Sequence, residues 1–222
     1  YMFIGNFSNI REIWGLGFKL QNFFLKKNKK FYSSFFSKTE GDNEALEFVK
    51  KITNAKQIDY KPLSSMENSS RDTVGIIIAA SGNEKRWSIK NYLKLIEFLK
   101  KKNYKKFLII SGLDQEKEEF LIKENFIDDI EITFTSDKKI NDVIPYLKRC
   151  EFCIGNDTGF AHLSVNLDIE TMVIQGDCPP QTYSALLKHI DIEPDVIRSP
   201  ISIHTIKAEK VLNELSRFLI NR

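Results

Sequence analysis

Lys85, Asp157, Thr158 and His162 are the residues of this 222-residue chain whose types and spacing could manage negative charge. The run Gly155-Asn-Asp-Thr-Gly-Phe-Ala-His162 follows a short apolar stretch, Phe152 to Ile154, and opens an amphipathic one. A strand, a turn of small residues and a helix start together make an anion site. The first helical N–H groups lack partners there and carry the positive end of the helix dipole. Asp157 is the expected N-cap, Gly159 lets a ligand approach the backbone where a Cβ would block it, and His162 lies one helical turn beyond Thr158. The same residues also describe a helix start with no ligand. Asp before Thr-Gly is a common cap, Gly155 and Gly159 can serve the turn alone, and an inward histidine is commonly a hydrogen-bonded core residue.

A second segment shifts the balance. Gly75-Ile-Ile-Ile-Ala-Ala-Ser-Gly-Asn-Glu-Lys-Arg-Trp-Ser88 runs a buried-type strand into a small-residue loop carrying Ser81, Lys85, Arg86 and Trp87. In an open parallel sheet, ligands bind outside the carboxyl ends of the strands, so loops after two strands can reach one diphosphate from two sides. Lys85 would supply a point charge and Ser81 a hydroxyl donor, although Lys85-Arg86 also reads as a solvated pair in a lysine-rich chain. Trp87 is expected to pack the loop against the following helix while its indole N–H finds a partner.

The elements that must position these groups alternate. The patterning predicts strand 73–80, helix 88–102, strand 106–111, helix 114–125, strand 130–134, helix 140–149, strand 152–155, helix 158–166, strand 171–175 and a last helix over 206–220. Such alternation predicts an α/β fold with a Rossmann-like parallel sheet flanked by helices. Ile89, Tyr92, Leu93, Ile96 and Leu99 recur at helical spacing and should pack on the sheet, as should Val211, Leu215 and Phe218 of the last helix. Phe107-Leu-Ile-Ile110 and Met172-Val-Ile174 read as strands buried on both faces.

Composition excludes several other classes. With 42% hydrophobic and 12% aromatic residues, the chain can build one full core and part of another. The net charge is +3, and its excess gathers at Lys26-Lys27-Asn28-Lys29-Lys30, beside Phe23, Phe24, Phe31 and Tyr32. That cluster reads as a solvated loop, with peripheral contact to an anionic membrane surface as its functional alternative. No nucleic-acid module accompanies it, and no apolar run is long enough to span a bilayer. Cys150, Cys153 and Cys178 are too few and odd in number for a disulfide framework, which fits a reducing, cytoplasmic compartment. The Cys150-x-x-Cys153 spacing falls where a helix ends and a strand begins, the wrong place for a redox pair, and further zinc ligands are lacking.

Ser81-Gly-Asn-Glu-Lys-Arg-Trp87 and Gly155-Asn-Asp-Thr-Gly-Phe-Ala-His-Leu163, in that order and at that separation, resemble the lipopolysaccharide heptosyltransferase family, glycosyltransferase family 9. The resemblance covers roughly the last two thirds of the chain. It implies a two-domain GT-B fold, of which this chain holds the carboxy-terminal, nucleotide-sugar-binding half. It places phosphate or donor-sugar contacts on Ser81, Lys85, Asp157, Thr158, Gly159, Phe160 and His162, with Lys85 and Asp157 as the catalytic pair. Glu116 is carried over for the nucleoside, although it also suits the acidic first turn of a helix. Asp157 is expected to hold sugar hydroxyls or to orient Lys85. Ser88 stands where the family commonly has proline and can cap the next helix instead. Gln175-Gly-Asp-Cys-Pro-Pro180 resembles the family's Gly-Pro-rich loop only loosely.

The resemblance further implies inverting, metal-independent transfer of a sugar, heptose from ADP-heptose, to a lipopolysaccharide-type glycan acceptor. Neither cofactor nor metal is expected, in keeping with the lack of an Asp-x-Asp pair. The family's general base lies early in the acceptor domain, and roughly seventy residues precede the first strand here, so the chain is read as truncated and lacking that base. Residues 1–60 are assigned to a remnant of the acceptor domain, 61–72 to a linker and 73–222 to the nucleotide-sugar domain. Two other classes stay open. One is a non-catalytic nucleotide-sugar or glycan-binding module. The other is a dinucleotide-dependent oxidoreductase, against which the missing Gly-x-Gly-x-x-Gly turn argues.

Overall fold

Val74, Ile76 and Ile78 enter one apolar cluster and Ile77 another, so a single short run of sequence is buried on both sides. The computed structural model describes residues 14–17, 34–37, 70–126, 128–181 and 183–222. The chain divides into two compact units, Tyr1–Asp59 and Tyr60–Arg222. In the first, β1 (Trp14–Gly17) and β2 (Ser34–Ser37) pair in parallel. The basic run at 26–30 and the residues assigned to the linker before position 70 lie outside the described residues.

The second unit alternates strands and helices. Its elements are β3 (Thr73–Ile77), α1 (Ile89–Lys101), β4 (Lys106–Ile110), α2 (Glu116–Phe126), β5 (Glu131–Phe134) and α3 (Ile140–Leu147), then β6 (Cys150–Asn156), α4 (Gly159–Asn166), β7 (Thr171–Gln175), β8 (Leu187–Asp191) and α5 (Ala208–Ile220). Six strands form one wholly parallel sheet in the order β5-β4-β3-β6-β7-β8. This is the α/β, Rossmann-like arrangement that the alternation predicts. One face carries Phe107, Ile109, Phe152, Ile154, Met172 and Ile174 against Tyr92, Ile96 and Leu99 of α1, and Val211 and Leu215 of α5. The other carries Leu108, Ile110, Cys153 and Val173 against Val143 and Leu147 of α3, and Ala161 and Val165 of α4. Alternating side chains along strands buried on both faces account for the near-continuous apolar runs in the sequence.

The departures have local causes. β3 ends at Ile77, three residues earlier than expected: the N–H groups of Ile78 and Ala79 both converge on the Ile110 carbonyl, and side-chain amides take their carbonyls. Asn156 Nδ2 donates to the carbonyls of Ile78 and Ala79 at 2.8 and 3.3 Å, and Gln115 Nε2 donates to Ile78 at 3.0 Å. β6 starts two residues early through an irregularity: Thr73 pairs with Cys150, but Val74 pairs with Phe152. That extra residue turns Cys150 into the same apolar cluster as Cys153, where both are buried free thiols. β8 is absent from the sequence reading. As an edge strand it buries Leu187 and Ile190 but leaves Lys188 exposed and His189 and Asp191 half-buried, which is not the alternation of a half-buried strand. α1 and α4 both end in Schellman turns, with Asn103 (φ 70°) and Asp168 (φ 62°) as the left-handed residues. The Tyr104 N–H reaches the Leu99 carbonyl and the Ile169 N–H reaches that of Ser164. No helix among the described residues is long and apolar enough to cross a membrane.

Candidate functional site

The chain order reverses between β3 and β6, and the loops leaving their carboxyl ends diverge there, which is where open parallel sheets hold ligands. Asn156, the last residue of β6, is fully buried and ties the two strand ends together. Besides donating to Ile78 and Ala79, it accepts from the Trp87 N–H at 3.0 Å and lies 2.9 Å from the Tyr92 hydroxyl. Trp87 packs edge-on against Tyr92 of α1, with ring centres 5.0 Å apart, and its indole N–H donates to the Ile206 carbonyl at 2.6 Å. Ser88 caps α1 by accepting from the Asn91 N–H. Both outcomes agree with the sequence reading. Arg86 is no solvated residue: it bonds Asn83 Oδ1 and Asp114 Oδ2, each at 2.6 Å, and so braces the loop after β3 against the loop after β4.

This bracing sets Lys85 in a single 3-10 turn, Asn83–Lys85, facing a cavity of about 120 Å³. Ser81, Lys85, Asp157, Ile174, Gly176, Asp177, Cys178 and Ile203 line it. Three of the sequence-predicted residues, Ser81, Lys85 and Asp157, therefore share one cavity. The Lys85 Nζ sits 2.7 Å from Asp177 Oδ2, so the carboxylate that orients this lysine is Asp177, which leaves Asp157 the other of its two expected roles, holding sugar hydroxyls. Hydrogen bonding to Asp177 and its charge raise the Lys85 ammonium above its ordinary value. Burial pushes the Asp177 carboxyl up, but the hydrogen bonds from Lys85 and the Cys178 thiol outweigh it and leave the acid below its ordinary value.

Asp157 is engaged from both sides. Its Oδ1 lies 3.1 Å from His162 Nε2, and its Oδ2 accepts from Gln175 Nε2 at 3.4 Å and from Cys178 Sγ at 3.5 Å. The other ring nitrogen of His162, Nδ1, lies 2.7 Å from the Tyr183 hydroxyl, so both ring nitrogens have a polar partner. Gln175, fully buried at the end of β7, also donates to the Pro179 carbonyl at 3.0 Å, while His189 Nδ1 lies 2.6 Å from its Oε1. Burial, reinforced by the two nearby carboxylates, pushes the Cys178 thiol up to about 12. It therefore stays protonated, with one hydrogen that it can give to either of them.

The N-cap of α4 is Thr158 rather than the expected Asp157, whose carboxylate is drawn away by His162, Gln175 and Cys178. No side chain closes this helix end, and the Thr158 Oγ1 is buried with no hydrogen-bond partner. An added Cβ at Gly159 would meet nothing within 4 Å, so packing does not require a glycine there. Gly155 serves no turn. It lies within β6, where a Cβ would come 2.0 Å from the Ile77 carbonyl oxygen. Gly176 is held as closely, with the Ile203 backbone N 2.3 Å from where its Cβ would be.

The remaining predicted residues fall elsewhere. Phe160 packs against the apolar cluster beneath α4. Glu116 is exposed at the first position of α2 and lines no part of the cavity; its buried neighbour Gln115 is held by Ile78 and Gly112. The sequence reading missed Asn156, Gln175, Asp177 and Cys178 as site residues. A polar residue ending a strand otherwise buried on both faces is the signal that marks Asn156 and Gln175. Among the described residues, no cluster of three or more His, Cys, Asp or Glu could hold a metal ion.

The model of glycosyltransferase family 9 (heptosyltransferase) matches residues 29–194. The chain belongs to this family. Solved structures share the fold of the family 9 chain. The E. coli heptosyltransferase WaaC with ADP-2-deoxy-2-fluoro heptose matches at a TM-score of 0.65 and 15% identity, over 91% of this chain and 64% of that one. The family 9 glycosyl transferase from Veillonella parvula matches at 0.66 and 11% identity, over 93% and 67%. The E. coli ADP-heptose lps heptosyltransferase II matches at 0.57 and 18% identity, over 82% and 53%. The chain thus spans just over half to two thirds of the length of these proteins. Its Rossmann-like sheet is the carboxy-terminal half of the GT-B fold. No curated sequence matches it.

Proposed function

We propose that this family 9 chain is the donor-binding part of a glycosyltransferase that moves a sugar from a nucleotide diphosphate to a glycan hydroxyl. The observation that carries the reading is the convergence of Ser81, Lys85 and Asp157 on one cavity, lined also by Gly176 and Asp177 of the loop after β7. Asp157 leads into α4, whose N-terminus no side chain closes. The main-chain N–H groups at 158–160, the Lys85 ammonium and the Ser81 hydroxyl would receive charge as it builds on the departing diphosphate. Fixed donors of this kind act without reorganising during the reaction. Asp157 would hold sugar hydroxyls, while Glu116, outside the cavity, would meet only a nucleoside that projects beyond it. The transfer inverts the anomeric centre and uses no bound metal.

WaaC is known with ADP and with an ADP-heptose analogue, which supports heptose carried on ADP as the donor. A lipopolysaccharide-type core is the matching acceptor, at the cytoplasmic face of the inner membrane. Peripheral contact with that membrane through residues 23–32 belongs to the same proposal. Thermal shift against ADP-, UDP- and GDP-sugars tests the donor. Stabilisation by ADP-sugars alone is expected, and stabilisation by none would refute the reading. Replacing Lys85 with alanine in the whole protein should cost about 3 kcal/mol of barrier, or roughly a hundredfold in turnover, with the fold intact. Unchanged turnover would remove Lys85 from the mechanism.

A further inference from the structure

The cavity's charges do not suit a free anion. One ammonium, on Lys85, stands among two carboxylates, on Asp157 and Asp177, and the ammonium is already paired at 2.7 Å. A diphosphate approaching Lys85 must therefore compete with Asp177 for it. Which partner yields follows from what holds each. Asp177 sits on a braced wall: Gly176 presses against the Ile203 backbone, and the Arg198 Nη1 donates to the Cys178 carbonyl at 2.8 Å. The same guanidinium grips the Asp191 carboxylate through both terminal nitrogens. The Cys178 thiol adds a bond to Asp177 Oδ1 at 3.3 Å. Lys85, by contrast, is a flexible stem with 39% of its side chain exposed.

We propose that Asp177 is a specificity-determining positioning residue: it holds Lys85 in the cavity as an internal counter-ion, so that free phosphate-like anions bind poorly and the product diphosphate is readily released. The inference rests on the reading of this cavity as the donor site. A carboxylate that occupies the lysine in the empty site lowers the net gain when an anion takes its place, yet it keeps the ammonium charged and pointed inward. Contacts to the rest of the donor, which inorganic anions lack, then decide what is bound.

Calorimetric titration with ADP and with inorganic pyrophosphate, a probe free of any base, tests this on the whole chain as wild type, Asp177→Asn, Lys85→Ala and the double variant. Asp177→Asn should bind both ligands about tenfold more tightly, with the gain shrinking at high salt. In the Lys85→Ala background the same substitution should gain no more than about twofold, because Asp177 acts through that lysine. Tightening is a result that damage to the fold would not give. Unchanged or weaker binding by an Asp177→Asn variant that unfolds cooperatively would overturn the proposal, as would a tenfold gain that persists without Lys85. Loss of cooperative unfolding in both Asp177→Asn and Asp177→Ser would make Asp177 a structural residue and overturn it equally. Failure of ADP to bind both wild type and Asp177→Asn would sink the donor reading itself, a different outcome from ligands that bind wild type and Asp177→Asn alike.

Discussion

Gly159→Ala should separate the two jobs a glycine can do. The residue opens α4, its φ lies outside the left-handed region, and a methyl group there would touch nothing within 4 Å. Replacing glycine by alanine at such a position stabilises by about 0.4–1 kcal/mol, mainly by narrowing the unfolded ensemble. For a unit of this size that is roughly 1–4 °C in melting temperature. The open space is also where a diphosphate would reach the N–H groups of the first turn, so the same methyl should weaken ADP binding about tenfold or more, near 1.4 kcal/mol. Melting followed by circular dichroism and titration with ADP read the two effects on one sample. Gly155→Ala is the counter-case. Its Cβ would lie 2.0 Å from the Ile77 carbonyl oxygen, and it should destabilise by about 3 kcal/mol or more. A more stable Gly159→Ala variant with wild-type affinity would refute the claim that a ligand approaches over this residue. A less stable one would refute the description of the helix start.

Two further outcomes follow from the geometry. Asn156→Leu strands the buried Trp87 N–H and parts the ends of β3 and β6, and should cost about 3 kcal/mol in urea unfolding; a loss below about 1 kcal/mol would deny Asn156 its joining role. The Cys178 thiol, ordinarily near 9 and raised to about 12, binds a proton in the folded state that the unfolded chain releases between those values. Its contribution to stability is therefore complete below pH 9 and is lost as the pH climbs toward 12, so Cys178→Ser should show a flatter stability profile over that window.

Much of this architecture was legible in the sequence because strands buried on both faces leave continuous apolar runs, such as Phe107 to Ile110, that little else produces. Ser81, Lys85 and Asp157 were singled out for a related reason: all three lie in the segments that leave the carboxyl ends of such strands, Asp157 directly after β6 and the other two in the loop after β3. Asp177 was not. Which of several carboxylates meets Lys85 depends on how the loop after β7 rests on residues 198–203, and no local pattern encodes that contact. The cap of α4 was misread because Asp157 and Thr158 are both good cap types. The choice fell to tertiary partners, Gln175, Cys178 and His162, that claim the aspartate. β8 escaped because an edge strand with Lys188 and His189 at its centre needs less apolar surface than a central one.

The contact between Gly176 and the Ile203 backbone bears on any attempt to recast this cavity. Where no methyl group fits between two segments, they cannot be exchanged one at a time. A loop transplanted at 176–180 from a relative with a larger residue at its first position would wedge itself off the 200–205 turn and carry Asp177 away from Lys85. The smallest portable cassette is a pair of segments distant in sequence, and engineering that moves only one of them should yield a folded protein with a displaced wall.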